Sequence, residues 1–336
     1  MRVAIVGATG AVGQELLRLL EERSFPLTSL RPYASSRSAG TKVTFRGSPV
    51  TIEALPEHGD LEADIVFSSA GGSISKAHAK AWAAHGAVVI DNTSAWRMDP
   101  GTPLVVPEIN PAAAHAHDGI IANPNCSTII GLMALAPLHD AFGLERATVA
   151  TYQAVSGAGA KGIDELTRMT QAALNGEQAE PSAFEHSIAF NLFSHDSEVG
   201  DDGYNVEERK LLLESRKILG APTLAVSATC IRVPTYRAHA EAIHAEFTRP
   251  VDPDAAREVL AAAPGLRIVD DRSANRFPMP LEASGSDDVL VGRIRSDASK
   301  PGALAFFVAG DQIRKGAALN AIQIGELLRN GSAAPA

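Results

Sequence analysis

Two cysteines occur in the 336 residues, and one of them, Cys126, stands in the stretch NPNCSTII between two asparagines and a pair of hydroxyl residues. The apolar run that follows, STIIGLMALAPLHDAF, reads as a helix, which puts the thiol at a helix N-terminus. There the dipole stabilises a thiolate, lowers the pKa and raises nucleophilicity near neutral pH, and Ser127 or Thr128 is available as the cap. Cys230 lies in the middle of an apolar strand and reads as core.

A second constellation suits phosphate. RVAIVGATGAVGQELLRLLEER is a β-branched strand, a turn containing Gly7, Gly10 and Gly13, and an amphipathic helix. Glycines let backbone approach a diphosphate, and the helix start offers N–H groups and a positive dipole end; Thr9, Ala11 and Val12 complete the turn. The spacing is GxxGxxG, one residue off the usual dinucleotide fingerprint. An acid that would hold a ribose 2′-OH is expected at the end of the second strand, yet ASSRSAG supplies Ser36, Arg37 and Ser38. A cation with two hydroxyls suits a 2′-phosphate, hence NADP.

The elements that must position these groups follow from the pattern. ADIVFSSAGGSISKAHAKAWAAHGAVVIDNTS repeats strand, glycine turn and helix, with Ser73 as cap, Gly86 as the stop and a strand at Val88 to Asp91. Alternating strands and helices imply a doubly wound parallel sheet with its ligand at the carboxyl strand ends. After about residue 127 the pattern becomes β-rich: ERATVATYQ, AVSATCIRVPTYRAHAEAIHAEFT and LVGRIRSDASKPGALAFFVAG read as strands of a largely antiparallel sheet. The expected organisation is α/β: a Rossmann-like domain over 1–127, completed by a C-terminal helix over 315–330, and an α+β catalytic and dimerisation domain over 128–314.

Composition narrows the class. Hydrophobic residues make up 45% and charged residues 21%, as in ordinary globular proteins. A net charge of −9 without a basic stripe argues against nucleic acid as a partner. The apolar runs are too short to suggest a membrane span, and the N-terminal strand runs into a glycine turn instead of a cleavage site, which reads as cytoplasmic. The histidine groups, HAHD at 115–118 and His239 with His244, lack zinc-site spacing, so no metal is expected.

GATGAVG, SSRSAG, AGGSIS, NPNCSTI, QAVSGAG, ATCIRVP, RAHAEAI and KGAALNA, in this order across nearly the whole chain, resemble the aspartate-β-semialdehyde dehydrogenase family in its bacterial NADP-dependent form. N-acetyl-glutamyl-phosphate reductases and glyceraldehyde-3-phosphate dehydrogenases carry different nucleophile motifs. The resemblance implies reductive dephosphorylation of L-aspartyl-4-phosphate by NADPH through a cysteine thioester, in lysine, threonine, methionine and diaminopimelate synthesis, by a homodimer.

It also implies roles. Cys126 corresponds to the nucleophile, His239 to the acid/base and Gln153 to a residue orienting substrate. Arg232 matches the carboxylate clamp, and Glu207, with Glu208 adjacent, the acid that holds the substrate ammonium. Arg97, Lys210 and Asn125 match the phosphate set, while Ser73, Ser156, Gly157 and Asn320 join the cofactor contacts. The alternatives are another acyl-phosphate or acyl-CoA reductase on the same scaffold, and a silent paralogue that binds NADP or a partner. Intact Cys126, Gln153, Arg232 and His239 count against the silent one.

Overall fold

The computed structural model describes residues 1–331. The chain divides into two units, residues 1–125 together with the C-terminal segment from Ala317, and residues 126–316. The first unit runs β1 (Arg2–Val6), α1 (Ala11–Glu22), β2 (Ser29–Ala34), β3 (Lys42–Phe45), β4 (Ser48–Thr51), β5 (Glu53–Ala54), β6 (Ile65–Ser68), α2 (Gly72–Ala84), β7 (Val88–Asp91) and β8 (Ile120–Ala122). Among the described residues its main sheet has the order β5-β2-β1-β6-β7-β8, parallel throughout. Chain order reverses between β1 and β6, the switch point at which such sheets bind ligand. β3 and β4 form a separate hairpin, closed by Arg46 and Gly47 at φ 49° and 73°, the turn geometry that matches strand twist.

The second unit contains α3 (Cys126–Phe142), β9 (Leu144–Gln153), α4 (Ala160–Leu174), β10 (Phe193–Ser194), α5 (Val206–Leu219), β11 (Ala225–Arg232), β12 (His239–Phe247), α6 (Pro253–Ala262), β13 (Leu266–Ile268), α7 (Pro280–Ala283), β14 (Val289–Ser296) and β15 (Leu304–Gly310). Its sheet is ordered β10-β11-β9-β12-β15-β14-β13. β11 runs parallel to β9 and β13 parallel to β14, so the sheet is mixed and not simply antiparallel. Parallel pairing needs a crossover, and α4, β10 and α5 supply it between β9 and β11. The final helix, α8 (Leu319–Gly331), belongs to the first unit, where Ala318, Leu319, Ile322 and Ile324 are buried with Leu16, Leu20, Phe25 and Phe67.

α3 is apolar on nearly all sides and buried from Ser127 to Ala136, which marks it as an interior helix. It packs against β9, β12 and β15. Gln153 ends β9, Arg232 ends β11 and His239 begins β12, and Gln153 pairs with Arg232 in register. Ala240 pairs with Tyr152, so the antiparallel register carries His239 to the level of Gln153. Three neighbouring strands thus bring three polar side chains to one end of the sheet.

Candidate active site

In the first unit the turn after β1 is shaped by what glycine lacks. Gly7 has φ +92°, and a Cβ there would lie 2.9 Å from the Ser69 carbonyl carbon. A Cβ on Gly13 would come within 2.2 Å of the Gly7 oxygen, so the third glycine lets α1 sit tightly on the strand end. Gly10 caps α1 without a side-chain hydrogen bond, which leaves the amides of Ala11, Val12 and Gly13 to meet an anion. Thr9 is exposed beside them. α2 starts after Gly71 at φ 97°, so Ser73 lies in its first turn and is not the cap that the sequence suggests. Arg37 and Ser36 are exposed in the turn after β2, with Ser38 half-buried, and among the described residues nothing pairs with the Arg37 guanidinium. The glycine cradle and the uncapped helix fit the diphosphate of a nicotinamide dinucleotide.

Arg97, which the resemblance puts in the phosphate set, is buried. Its Nε donates to the Asn123 carbonyl at 2.9 Å and its Nη2 to the Asn92 carbonyl at 3.1 Å. Asn320 is fully buried and donates to the Val105 carbonyl and to Oδ1 of Asn123, at 2.9 and 2.7 Å. Asn123 donates in turn to Oδ1 of Asn92 at 2.7 Å. These bonds tie α8 to the loop that carries Arg97. Asn125, also buried, is the last residue before Cys126.

In the second unit α3 begins at Cys126 itself, so Ser127 and Thr128 are in its first turn and do not cap it from outside. The thiol is half-buried and outside any disulfide. Gly316 presses on it: a Cβ at Gly316 would stand 2.9 Å from the Cys126 Cβ. Cys230 is fully buried in β11, where desolvation pushes its thiol strongly up, away from reactivity. Gln153 reaches back to the helix start, its Nε2 donating to Ser127 Oγ and to Glu207 Oε1, both at 3.0 Å.

α5 separates the two adjacent glutamates. Glu208 closes a capping box with Asn205, and its Oε1 also accepts the Cys230 amide at 3.0 Å, so it is committed to structure. Glu207 is turned the other way, accepting from Gln153 and, at 2.8 Å, from Lys210 Nζ. Arg232 is 4% exposed; Nη1 donates to the Ala154 carbonyl at 3.0 Å and Nη2 meets His195 and Asp196. Its Nε is buried without a partner, a donor left for a ligand carboxylate.

His239 is fully buried. Its Nδ1 faces the Ala154 N–H at 3.0 Å, and a backbone amide can only donate, so the proton of the neutral ring sits on Nε2. Nε2 has no protein partner. Burial first, and Arg232 second, push the imidazole down to about 3, so the ring stays neutral at ordinary pH. His239 is therefore held with its Nε2–H free to donate. A Cβ on Gly157 would lie 3.6 Å from that Nε2 and 3.1 Å from Arg232 Nη1, so glycine keeps the space before both groups open. Ser156 is buried and accepts from Gln312.

Comparison with known proteins gives these two sets one context. Residues 2–117 match the family model "Semialdehyde dehydrogenase, NAD binding domain", and residues 135–315 match "Semialdehyde dehydrogenase, dimerisation domain". The aspartate-semialdehyde dehydrogenase of Synechocystis sp. is 50% identical over 328 residues, covering 98% of this chain and 97% of that one. The chain belongs to the aspartate-semialdehyde dehydrogenase family. A crystal structure of aspartate semialdehyde dehydrogenase II from Vibrio cholerae, complexed with ASA, superposes with a TM-score of 0.95 at 45% identity and 98% coverage of both chains. The aspartate semialdehyde dehydrogenase from Candida albicans, solved with NADP, gives 0.74 at 26% identity and 98% coverage of both.

Some residues that shape this semialdehyde dehydrogenase site are not singled out by sequence. Ala154, through its two backbone groups, and Gly316, through its missing side chain, carry no chemical signal. His195 and Asp196 do carry one, a polar run HDS just before the GDDGY turn, but only the β10–β11 pairing reveals their neighbour Arg232.

Proposed function

We propose that this protein is an NADP-dependent aspartate-semialdehyde dehydrogenase, converting L-aspartyl-4-phosphate to L-aspartate 4-semialdehyde through a thioester on Cys126. The observation that carries this reading is the row of Gln153, Arg232 and His239 on three adjacent strand ends, with Gln153 bonded to the residue after the thiol.

The Cys126 thiolate attacks the acyl carbon, and charge gathers on the carbonyl oxygen. His239 donates a hydrogen bond from Nε2 to that oxygen, the kind of fixed donor worth about 10²–10³ in rate. The oxyanion collapses, the C–O bond to phosphate breaks, and phosphate leaves with the electron pair. When bound at the glycine turn, the nicotinamide nucleotide supplies the hydride that reduces the thioester. The second oxyanion collapses with release of the Cys126 thiolate, so the proton consumed in the reductive direction is the one that the departing phosphate takes up from solvent to become the hydrogen phosphate dianion. A neutral donor is sufficient throughout the reductive direction.

Arg232 and Glu207 take the substrate's α-carboxylate and α-ammonium, while Arg97, Lys210 and Asn125 take the phosphate. Gln153 orients the acyl group beside the thiol. Ser73, Ser156, Gly157 and Asn320 complete the surroundings of the nucleotide. The unpaired Arg37 supports NADP over NAD. The match to a dimerisation domain, with Leu174, Phe190, Leu192, Val199 and Val206 exposed on the second unit, supports a homodimer. Among the described residues no helix is long and apolar enough to cross a membrane, and both cysteines are thiols, which supports a cytoplasmic site.

The test is phosphate-dependent oxidation of aspartate semialdehyde with NADP. Cys126→Ala should abolish turnover while nucleotide binding persists, and Cys230→Ala should retain activity. Turnover in the Cys126→Ala protein would remove the mechanism.

A further inference from the structure

Arg232 Nη2 lies 2.9 Å from Nε2 of His195 and 3.3 Å from Oδ1 of Asp196. A guanidinium only donates, so Nε2 of His195 accepts and the ring proton sits on Nδ1. That nitrogen is 3.1 Å from Ser197 Oγ and donates to it. The same hydroxyl accepts the backbone N–H of Glu207 at 3.2 Å. A continuous chain, Arg232 to His195 to Ser197 to the Glu207 backbone, therefore joins the arginine side chain to the first turn of the helix that carries Glu207. Its backbone is fixed too, since the His195 amide donates to the Cys230 carbonyl at 2.8 Å, beside the β10–β11 pair.

We propose that His195 is a positioning residue for substrate recognition. As a neutral acceptor it sets the plane of the Arg232 guanidinium, and through Ser197 it registers that plane against the helix start carrying Glu207. This rests on the reading of Arg232 and Glu207 as the clamps for carboxylate and ammonium. The physical reason is that an arginine recognises a carboxylate through a planar fork, and rotation of the plane misaligns the donors without changing the charge. Phe184, whose ring centroid is 5.4 Å from the guanidinium carbon, supports one face but does not fix rotation within the plane. The hydrogen bonds to Ala154, His195 and, at longer range, Asp196 do.

The arrangement requires an uncharged His195. The charged or titratable groups facing it are Arg232 on β11, Glu207 and Lys210 on α5, its neighbour Asp196, and His239 on β12. Burial holds the imidazole below its ordinary range; Glu207 and Asp196 oppose that effect, and Arg232 and Lys210 add to it. Protonation would set an Nε2–H against a guanidinium N–H and break the contact.

The experiment compares His195→Leu, His195→Gln and Ser197→Ala with the parent enzyme. Semialdehyde and inorganic phosphate are varied in turn from pH 5.5 to 8.5, and circular dichroism and melting confirm the fold. His195→Leu should raise the KM for semialdehyde about tenfold or more, the loss expected for one hydrogen bond to a charged group, with the phosphate KM within about twofold. His195→Gln, whose amide oxygen can stand in for Nε2, should recover most of the loss. Ser197→Ala should raise the semialdehyde KM severalfold. An unchanged semialdehyde KM in His195→Leu would overturn the proposal, as would an equal loss for both substrates that Gln does not rescue. Should the Leu protein fail to fold, a Ser197→Ala protein whose semialdehyde KM equals the parent's would overturn it equally. Arg232→Lys is the control: if it leaves the semialdehyde KM unchanged, the clamp reading itself fails, whereas an impaired Arg232→Lys beside a normal His195→Leu refutes only the positioning role.

Discussion

The backbone N–H of Ala154 donates to Nδ1 of His239 at 3.0 Å, while the carbonyl of the same residue accepts from Arg232 Nη1 at 3.0 Å. One main-chain residue thus fixes both the tautomer of the histidine and the position of the arginine. Burial and the nearby Arg232 depress the basicity of His239, and a histidine held this way cannot take up a proton at Nδ1 without setting two N–H groups against each other.

His239 should therefore leave no limb in the pH dependence of kcat between pH 5 and 9. His239→Gln, which can still donate, should keep more activity than His239→Leu, whose loss should reach about 10²–10³. Stability carries a second signature. The unfolded chain protonates this ring near its ordinary 6.5 and the folded one only near 3, so the unfolded state holds the extra proton in between and stability falls as pH drops through that window. Melting temperatures of parent and Gln proteins at pH 7 and 4 check this; the Gln protein should lose less.

Gly316 should control the aim of the nucleophile. A Cβ 2.9 Å from the Cβ of Cys126 must displace one of the two, and a shift approaching 1 Å costs about 10² in rate. Gly316→Ala is expected to lower kcat by about 10- to 100-fold with nucleotide affinity near that of the parent, measured by steady-state kinetics and fluorescence titration of NADPH.

Arg37→Ala should weaken NADPH by about 10- to 150-fold, the range for one charge-assisted hydrogen bond, and NADH little. Paired KM values for the two cofactors provide the measurement. Equal weakening would return Arg37 to an ordinary exposed cation.

Glu241 is fully buried, and neither carboxyl oxygen has a protein partner. A Cβ on Gly131 of α3 would lie 2.6 Å from its Oε2, so the glycine makes room for the acid. Burial raises this carboxyl well above its ordinary 4.5. The unfolded chain gives up the proton near 4.5 and the folded one keeps it to higher pH, so stability declines as pH rises above that value. Glu241→Gln removes the titration, and its melting temperature relative to the parent should climb between pH 5 and 8, by several degrees. A difference independent of pH would show that the acid is ionised in the folded protein.

The features legible along the chain are local ones. β-Branched runs, glycines and caps are decided by neighbours a few residues away, so β1, the glycine turn, α1, α2 and the thiol at the head of α3 can be read directly. The ordered motifs carried the family. What only the tertiary structure decided is which polar groups meet. In sequence the preference for Glu207 over the adjacent Glu208 rests only on spacing to Lys210; in the fold a capping box commits Glu208 to Asn205 and leaves Glu207 to Gln153 and Lys210. Nothing in the segment around Arg97 shows that it is buried; carbonyls at 92 and 123 converge on it only in the folded unit. The mixed sheet, the tautomer of His239 and the bond from Arg232 to His195 all depend on strand pairings across tens of residues. Hydrogen bonds are short-range and directional, so only the assembled backbone fixes which ones form.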